Sequence, residues 1–211
     1  TNLLLLRQQL STMPTGGTFI MTIPKAPYRC PPGPYERACV VADYLRRNKP
    51  GSKIIVLDAN PGIVAEKHTF ENAFNVTYAD VLTYQPNTTI LSVDSNQRSV
   101  NTNLGAYDAD VLNMIPTHRA GSIIRQTGLA NSTDGRWANV NPLSYESTNT
   151  PYIHIIGDSQ GTGQPKAGHI ANAEAKVCAD AVIRLIAGQQ PYQAPMTNSA
   201  CFSPISSNTA S

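Results

Sequence analysis

The chain has 211 residues, of which 41% are hydrophobic, so it can bury a real core and fold as one large or two small domains. Its formal net charge is +2 without a basic run, which argues against nucleic acid or an anionic membrane surface as partner. No apolar run approaches the roughly 20 residues that a membrane-spanning helix needs, so we predict no membrane span.

The N-terminal residues 1–12 have the pattern of an amphipathic helix, with a run of leucines followed by polar residues. The first residue is a threonine, and no signal peptide stands at the start of the sequence. We therefore expect a chain that was processed or excised.

A strand, a turn, a helix and a second strand follow in order. Residues 17–23 are rich in β-branched and apolar residues, and residues 35–48 have apolar residues at helical spacing. Residues 53–58 form a second apolar run that ends in Asp58. This order is typical of a dinucleotide-binding unit in which Asp58 would contact a ribose.

The turn of this unit does not suit a nucleotide. A pyrophosphate needs free backbone N–H groups and close-approaching glycines. Here the turn contains Cys30 with Pro31, Pro32 and Pro34, and prolines have no N–H to donate. We therefore predict that the unit binds no NAD(P), and that Asp58 is a relic or a structural acid.

The middle of the chain alternates strand-like runs with turn residues. Residues 65–75 are compatible with a short helix, and the spacing over 76–104 predicts an antiparallel meander. Its expected strands, together with one that returns to the parallel sheet, are residues 76–84, 88–93, 99–104 and 110–115.

A second informative segment begins at Pro151. Apolar residues in 152–156 predict a short buried strand, and Gly157 and Asp158 follow at its end. A long helix is then expected to run to about Ala187, with Gly188 as its stop. An acid at the carboxyl end of a parallel strand is well placed to bind a ligand hydroxyl, although Asp158 could equally cap a turn.

None of the four cysteines has the spacing of a metal ligand, so we predict no metal site. Cys39 and Cys178 lie on predicted helices and are most simply packed thiols. Cys30 and Cys201 lie in proline-rich or non-helical surroundings and are the candidates for redox chemistry.

Taken together, these segments resemble the flavin-binding subunit of flavocytochrome c sulfide dehydrogenase. The points of resemblance extend over nearly the whole chain, and the first is highly specific. They are residues 29–38 (Arg-Cys-Pro-Pro-Gly-Pro-Tyr-Glu-Arg-Ala), 156–158 (Ile-Gly-Asp), 164–168 (Gln-Pro-Lys-Ala-Gly) with 171–172 and 175–177, and 198–202 (Asn-Ser-Ala-Cys-Phe).

The resemblance implies an α/β chain with a glutathione reductase-like nucleotide-binding fold, in which a parallel sheet carries an antiparallel meander. It also implies a periplasmic flavoprotein that oxidises sulfide through FAD and passes electrons to a c-type cytochrome subunit. In that family a cysteine of the proline-rich motif pairs with a later cysteine in a redox-active disulfide beside the flavin, which corresponds here to Cys30 and Cys201. Glu36 matches the acid of the same motif.

The resemblance also implies which residues hold the cofactor. Gly157 and Asp158 match the pair that holds the ribityl chain of FAD, and Gln164, Pro165 and Lys166 match the loop beside the isoalloxazine ring. The Gly-x-Gly-x-x-Gly turn of the family does not occur in this sequence. We therefore expect an incomplete FAD domain.

The expected organisation has three parts. Residues 1–115 form a degenerate NAD-like domain, residues 116–190 the remainder of the FAD domain, and residues 191–211 the start of a truncated C-terminal domain. Two other functions stay open, namely a sulfide:quinone reductase-like flavoprotein and a non-catalytic docking module derived from a flavoprotein. An inert structural disulfide is the alternative role for Cys30 and Cys201.

Overall fold

The structure is a computed structural model that describes residues 2–211. The chain forms two compact units. The first contains the residues up to Ala26, Pro32–Thr117 and Phe202–Ser211, and the second contains Pro27–Pro31 and His118–Cys201. The segment 191–211, which the sequence analysis sets apart as a third domain, is divided between these two units.

A four-stranded parallel sheet forms the centre of the first unit. Its strands are β1 (Thr18–Ile23), β2 (Lys53–Asp58), β3 (Leu82–Gln85) and β7 (Val111–Met114). Their order in the sheet is β3-β2-β1-β7. Apolar side chains fill β1 and β2 almost without alternation, as expected for strands buried on both faces. The predicted strands β1, β2 and β7 and their parallel arrangement are confirmed.

Helix α2 (Gly33–Asn48) connects β1 to β2, and the predicted helix is confirmed with a start two residues earlier. Pro34 occupies its first turn, where the missing N–H breaks no helical hydrogen bond. Its buried face includes Tyr35, Ala38 and Leu45, which gives the helix the apolar stripe that the sequence predicts.

The predicted antiparallel meander is confirmed, but it begins and ends later in the chain than the predicted range 76–104. It comprises β4 (Ile90–Asp94), β5 (Ser99–Thr102) and β6 (Gly105–Asp108), in the order β4-β5-β6. The sequence analysis missed β6 because its residues have little β propensity. Val100 on β5 packs with Ile20 and Leu57, so this sheet shares a core cluster with the parallel sheet.

The predicted strand at 76–84 is wrong. Helix α3 (Lys67–Asn72) continues into a π-helical turn over Ala73–Thr77, and only Leu82–Gln85 is extended. That strand pairs parallel to β2, with Leu82 beside Ile54, and belongs to the central sheet. Apolar residues buried on both helix and strand produced one continuous pattern, which hid the boundary between them.

Helix α1 (Asn2–Thr12) confirms the helix predicted at the N-terminus, and Thr1 of that prediction lies outside the described residues. Leu3, Leu4 and Leu5 on α1 are exposed. The Lys49 ammonium donates a hydrogen bond to the carbonyl oxygen of Ser11 at 2.7 Å, which ties the end of this helix to the loop before β2.

The second unit contains helices α4 (Ser122–Gln126) and α5 (Gly168–Ile186) and a 3-10 turn over Gly157–Ser159. The long helix is confirmed, and Gly188 ends it in the left-handed conformation with φ +72°. The core cluster of the second unit comprises Ala138, Val140, Tyr145 and Ile155. Val177 and Cys178 of α5 pack against it.

The buried strand predicted at 152–156 is wrong. Tyr152 is 88% exposed, and of the predicted apolar residues only Ile155 is buried. A single bridge joins His154 to Glu146, so among the described residues of this unit the segment has no regular strand beside it. Two backbone hydrogen bonds support the bridge, from Ser147 to the carbonyl oxygen of Ile153 at 2.7 Å and from Ile155 to that of Tyr145 at 2.8 Å, and this pairing is too short to form a regular strand.

Within residues 2–211, no helix combines the length and apolar character that crossing a bilayer requires.

Candidate functional site around Cys30 and Asp158

The Cys30 segment, residues 27–31, belongs to the second unit. Arg29 and Lys166 form an isolated parallel β-bridge, and the backbone N–H of Cys30 donates to the carbonyl oxygen of Lys166 at 2.8 Å. The phenol of buried Tyr28 donates to the carbonyl oxygen of Pro31 at 3.4 Å. These contacts bring two predicted site residues, Cys30 and Lys166, next to each other.

Cys30 has a strained backbone. Its φ of +53° lies in the left-handed region, which costs a non-glycine residue roughly 1–2 kcal/mol. The surrounding contacts must therefore hold it there. Cys30 and Cys201 are both exposed. Cys39 is buried on α2, and burial together with the nearby Glu36 raises its pKa to about 12, which agrees with the predicted packed thiol.

Arg29 links the Cys30 segment to Asp158. Its Nε atom lies 3.1 Å from Oδ2 of Asp158, and both side chains are 37% exposed. Arg29 also donates through Nη2 to the carbonyl oxygen of Arg119 at 2.8 Å. A half-exposed ion pair contributes little to stability, of the order of 1 kcal/mol or less. Its effect here is to orient the Asp158 carboxylate.

Glu174 of α5 holds the 3-10 turn that carries Asp158 in place through hydrogen bonds. The buried carboxylate of Glu174 accepts hydrogen bonds from the N–H of Gly157 at 2.5 Å and from Nε2 of Gln160 at 2.8 Å. Burial raises the pKa of Glu174 above its ordinary value. Gly157 has φ +68°, so the conformation of the turn favours a residue without a Cβ.

Lys166 is a buried cation. Its Nζ atom lies 4.0 Å from the centroid of the Trp137 ring and donates to the carbonyl oxygen of Gln160. Burial lowers the pKa of Lys166 to about 8, although Asp158 and Glu174 act in the opposite direction. Arg29 and Arg136 approach the same ring at 5.7 and 5.6 Å, so three cations surround one indole.

His118 contacts the Cys30 segment directly. Its Nδ1 atom accepts a hydrogen bond from the N–H of Arg29 at 3.0 Å, and its ring meets that of Tyr28 edge-on, with 6.3 Å between centroids. Burial and the charge of Arg29 lower the pKa of His118. The imidazole therefore stays a neutral acceptor near pH 7.

The predicted cofactor loop is anchored by its own side chains. Gln164 accepts a hydrogen bond from the phenol of Tyr145 at 2.9 Å and donates to Oγ1 of Thr197 at 2.6 Å. The carbonyl oxygen of Pro165 accepts from the N–H of Ala167 at 3.0 Å. Because the Gln164 amide is engaged in this way, its loop is held rigidly before α5 begins.

Cys201 follows a segment that lies along the first half of α5. The carbonyl oxygen of Ala200 lies 3.3 Å from Nδ1 of His169. A groove of about 650 Å³ separates the segment from α5, and its polar lining includes His169, Asn172 and Lys176. The end of the second unit is therefore an open surface with polar and basic groups.

Glu36 lies in the first unit, in the first turn of α2. Its backbone N–H donates to the carbonyl oxygen of Pro32 at 3.0 Å. Burial and the nearby charge of Glu66 raise the pKa of Glu36, and Arg37 opposes them. Glu66 in turn accepts hydrogen bonds from the hydroxyls of Ser203 at 2.9 Å and Ser211 at 2.6 Å.

Asp58, also in the first unit, is fully buried and engaged. Its Oδ2 accepts from the phenols of Tyr35 at 2.9 Å and Tyr84 at 2.8 Å, and its Oδ1 accepts from the backbone and the amide of Asn60 at 2.8 and 2.7 Å. A ribose hydroxyl would have to displace these donors. Of the two roles predicted for Asp58, the geometry supports the structural acid.

Sequence reasoning missed four residues of this site, namely His118, Trp137, Gln160 and Glu174. Glu174 gave a detectable signal, because an acid within the apolar face that starts at Ile170 must be buried with partners. Trp137, the only tryptophan in the sequence, gave a weaker signal. The contact between His118 and Arg29 spans 89 positions in the sequence, and no local pattern encodes such a contact.

The fold is that of flavoprotein disulfide reductases and their relatives. The chain superimposes on sulfide:quinone oxidoreductase from Aquifex aeolicus with a TM-score of 0.72 at 16% identity, covering 97% of this chain and 51% of that one. A chain of the Tetrahymena thermophila mitochondrial ATP synthase gives 0.75 at 16% identity, with coverages of 96% and 51%. The HOCl-induced flavoprotein disulfide reductase of Escherichia coli gives 0.56 at 13% identity, with coverages of 79% and 36%.

The family model for the central part of the sulfide dehydrogenase (flavocytochrome c) flavoprotein chain matches residues 3–116, more than half of the sequence. The chain belongs to this family of flavoproteins. It spans about half the length of the two most similar chains described above.

Proposed function

We propose that the chain is part of an FAD-dependent sulfide dehydrogenase that works in the periplasm and passes electrons to a c-type cytochrome. The observation that carries the proposal is the family match over residues 3–116, joined to the geometry of the Cys30 segment. That segment holds an exposed thiol beside Lys166 and joins Arg29 to Asp158. Family membership supports a flavin, and FAD, sulfide and the cytochrome are the parts that we propose.

The residues present fit a flavin. Asp158 offers a half-exposed carboxylate, which is a suitable acceptor for a ribityl hydroxyl. Nε1 of buried Trp137 has no hydrogen-bond partner among the described residues, so an acceptor oxygen of a bound group would satisfy it. Lys166 adds a positive charge in a low-dielectric setting. Gly157, Gln164 and Pro165 would shape the rest of the binding loop.

In this proposal, Cys30 and Cys201 form the redox-active disulfide in the oxidised enzyme. Hydrosulfide attacks one sulfur, a new S–S bond forms, and the Cys30–Cys201 bond breaks. One cysteine then carries the persulfide, and the other is released as a thiolate. The sulfide sulfur is oxidised by two electrons, and the disulfide is reduced by two electrons. A second hydrosulfide attacks the outer sulfur of the persulfide and releases it as hydrogen disulfide, HSS−, which leaves one cysteine thiol and one thiolate. A bound flavin would accept the two electrons by which these two cysteines close to the disulfide again.

Basic residues lie on both chain segments that meet at Cys30. Arg29 is its neighbour in the chain, and the buried cation Lys166 belongs to the strand-like segment paired with it. Positive charges lower the free energy of a thiolate relative to a thiol. We assign proton transfer to Glu36 on the family motif alone, and its raised pKa is compatible with an acid–base role.

A sulfide:quinone reductase is the second candidate, favoured by the likeness to the Aquifex aeolicus enzyme over 97% of this chain. The two candidates differ in the electron acceptor. Assays with a soluble quinone and with a c-type cytochrome separate them, because only the correct acceptor should restore the oxidised spectrum after sulfide is added.

The visible absorption spectrum of the purified protein tests the proposal. A bound flavin gives a yellow protein, and the proposal predicts that anaerobic sulfide bleaches this absorbance. A yellow protein that sulfide does not bleach would contradict the sulfide chemistry. A colourless protein that takes up no added FAD would favour the docking module instead.

A further inference from the structure

The Cys30 segment is held in its strained conformation by two hydrogen bonds on successive amides. The N–H of Arg29 donates to Nδ1 of His118 at 3.0 Å, and the N–H of Cys30 donates to the carbonyl oxygen of Lys166 at 2.8 Å. The second bond is a backbone bridge that any sequence could form. The first depends on one side chain, and that side chain is titratable.

Only one protonation state of His118 can make this bond. An N–H donor requires Nδ1 to carry a lone pair, so the ring must be neutral with its proton on Nε2. The charged groups that face the ring are Arg29, Arg136 and Asp158, and the Tyr28 ring packs against it. The carbonyl oxygen of His118 also accepts from Nη1 of Arg136 at 3.2 Å, which fixes the backbone of the histidine itself.

We propose that His118 is a positioning residue that helps to hold the backbone at Cys30 in its left-handed conformation through the hydrogen bond from the Arg29 amide to Nδ1. This inference rests on the redox role proposed for Cys30. Protonation of Nδ1 converts the acceptor into a donor, and the Arg29 amide then loses its partner. The left-handed backbone at Cys30 loses one of the contacts that hold it at the same time.

The proposal predicts a pH dependence with a defined sign. Above the pKa of His118 the bond is present, and below it the bond is lost. Burial and the two arginines lower that pKa, so the change should occur below pH 6.5. Asp158 works in the other direction, but it is already paired with Arg29.

Amide hydrogen exchange of Arg29 in the purified protein is the direct test, with His118→Asn and His118→Phe as the matched variants. The amide oxygen of asparagine can accept at the Nδ1 position but does not titrate, whereas phenylalanine keeps a ring and has no acceptor. We expect about ten-fold protection of the Arg29 amide in wild type at pH 7.5, as for one hydrogen bond, and loss of it at low pH. The asparagine variant should keep the protection at both pH values, and the phenylalanine variant should lack it at both.

Equal protection in all three proteins would overturn the proposal, and so would loss in both variants, since packing of the ring would then explain the role. If the phenylalanine variant fails to fold by circular dichroism, wild type alone decides, because protection that does not change as His118 titrates contradicts the idea. These measurements use neither sulfide nor flavin. A wild-type protein that sulfide does not reduce would therefore refute the proposed function while the exchange results still decide the role of His118.

Discussion

The backbone N–H of Cys30 donates a hydrogen bond to the carbonyl oxygen of Lys166, with 2.8 Å between nitrogen and oxygen. This single contact joins a proline-rich turn near the start of the sequence to the loop that precedes α5. It joins the backbone of the exposed Cys30 to that of the buried Lys166, and the neighbouring Arg29 side chain pairs with the Asp158 carboxylate. The thiol, cation and carboxylate that the family motifs implied therefore come together within one compact unit.

Lys166→Met should change how stability depends on pH. The lysine loses its proton near pH 8 in the folded chain but only near its ordinary 10.5 when unfolded. Between these values the unfolded state binds more protons, so raising the pH favours folding. We expect wild type to gain up to about 3 kcal/mol over Lys166→Met from pH 8 to 10.5. Urea unfolding at a series of pH values measures this difference.

Lys176→Met is the matched control, because Lys176 lies exposed on α5. Its difference from wild type should stay flat over the same pH range. If the Lys166→Met difference is flat as well, Lys166 keeps an ordinary pKa and the buried cation assigned here does not exist.

Asp58→Asn should destabilise the first unit strongly. The carboxylate accepts hydrogen bonds from Tyr35, Tyr84 and Asn60 inside the core, and an amide nitrogen in its place would face donors. We expect a loss of about 3 kcal/mol in the free energy of unfolding, measured in urea. Asp108→Asn, on an exposed strand end, should change it by less than about 0.5 kcal/mol. Equal free energies of unfolding for the two variants would show that Asp58 does not have this structural role.

Gly157→Ala tests the turn that carries Asp158. Gly157 is left-handed, and a Cβ added there would make only an ordinary contact of 3.4 Å with Ala171. The cost should therefore be conformational, about 1–2 kcal/mol in thermal or urea unfolding. Gly163→Ala is the control, since a Cβ there meets no atom within 4 Å and its φ is not positive. A Gly157→Ala protein as stable as the control would show that the turn tolerates another conformation.

Much of the first unit could be predicted from the sequence. Strands β1 and β2 are short apolar runs, and α2 has a regular apolar stripe with Pro34 in its first turn, so local pattern and tertiary environment agree. The region 73–85 could not be predicted in this way, because its apolar residues divide between a π-helical turn and a strand. No local sequence signal marks the boundary between the π-helical turn and the strand.

The candidate site also combines residues that could be predicted from the sequence with residues that could not. Cys30, Asp158 and Lys166 lie in motifs that the sequence displays, whereas His118 and Trp137 enter through contacts between distant segments. The predicted strand at 152–156 failed for a related reason. Its apolar pattern is real, but the described residues of its unit provide no regular neighbouring strand, so Tyr152 lies in solvent.

Cys30→Ser should abolish the reduction of bound flavin by sulfide and leave the flavin content close to that of wild type. Without the Cys30 sulfur the proposed disulfide on which sulfide acts cannot form, whereas Asp158 and the 164–166 loop are proposed to bind the cofactor. Anaerobic sulfide titration with the ratio of flavin to protein absorbance measures both. Cys39→Ser, at a buried thiol, controls for the substitution itself. Sulfide reduction that survives in Cys30→Ser would contradict the disulfide mechanism.

Disulfide mapping of the air-oxidised protein shows whether Cys30 and Cys201 pair with each other. The protein is alkylated without reduction, digested, and analysed by mass spectrometry. The account predicts one linked pair of peptides that contain Cys30 and Cys201, and prior reduction should make both thiols alkylatable. Recovery of Cys30 and Cys201 as separately alkylated peptides from oxidised protein would contradict the account, because the proposed sulfide chemistry would then have no disulfide on which to act.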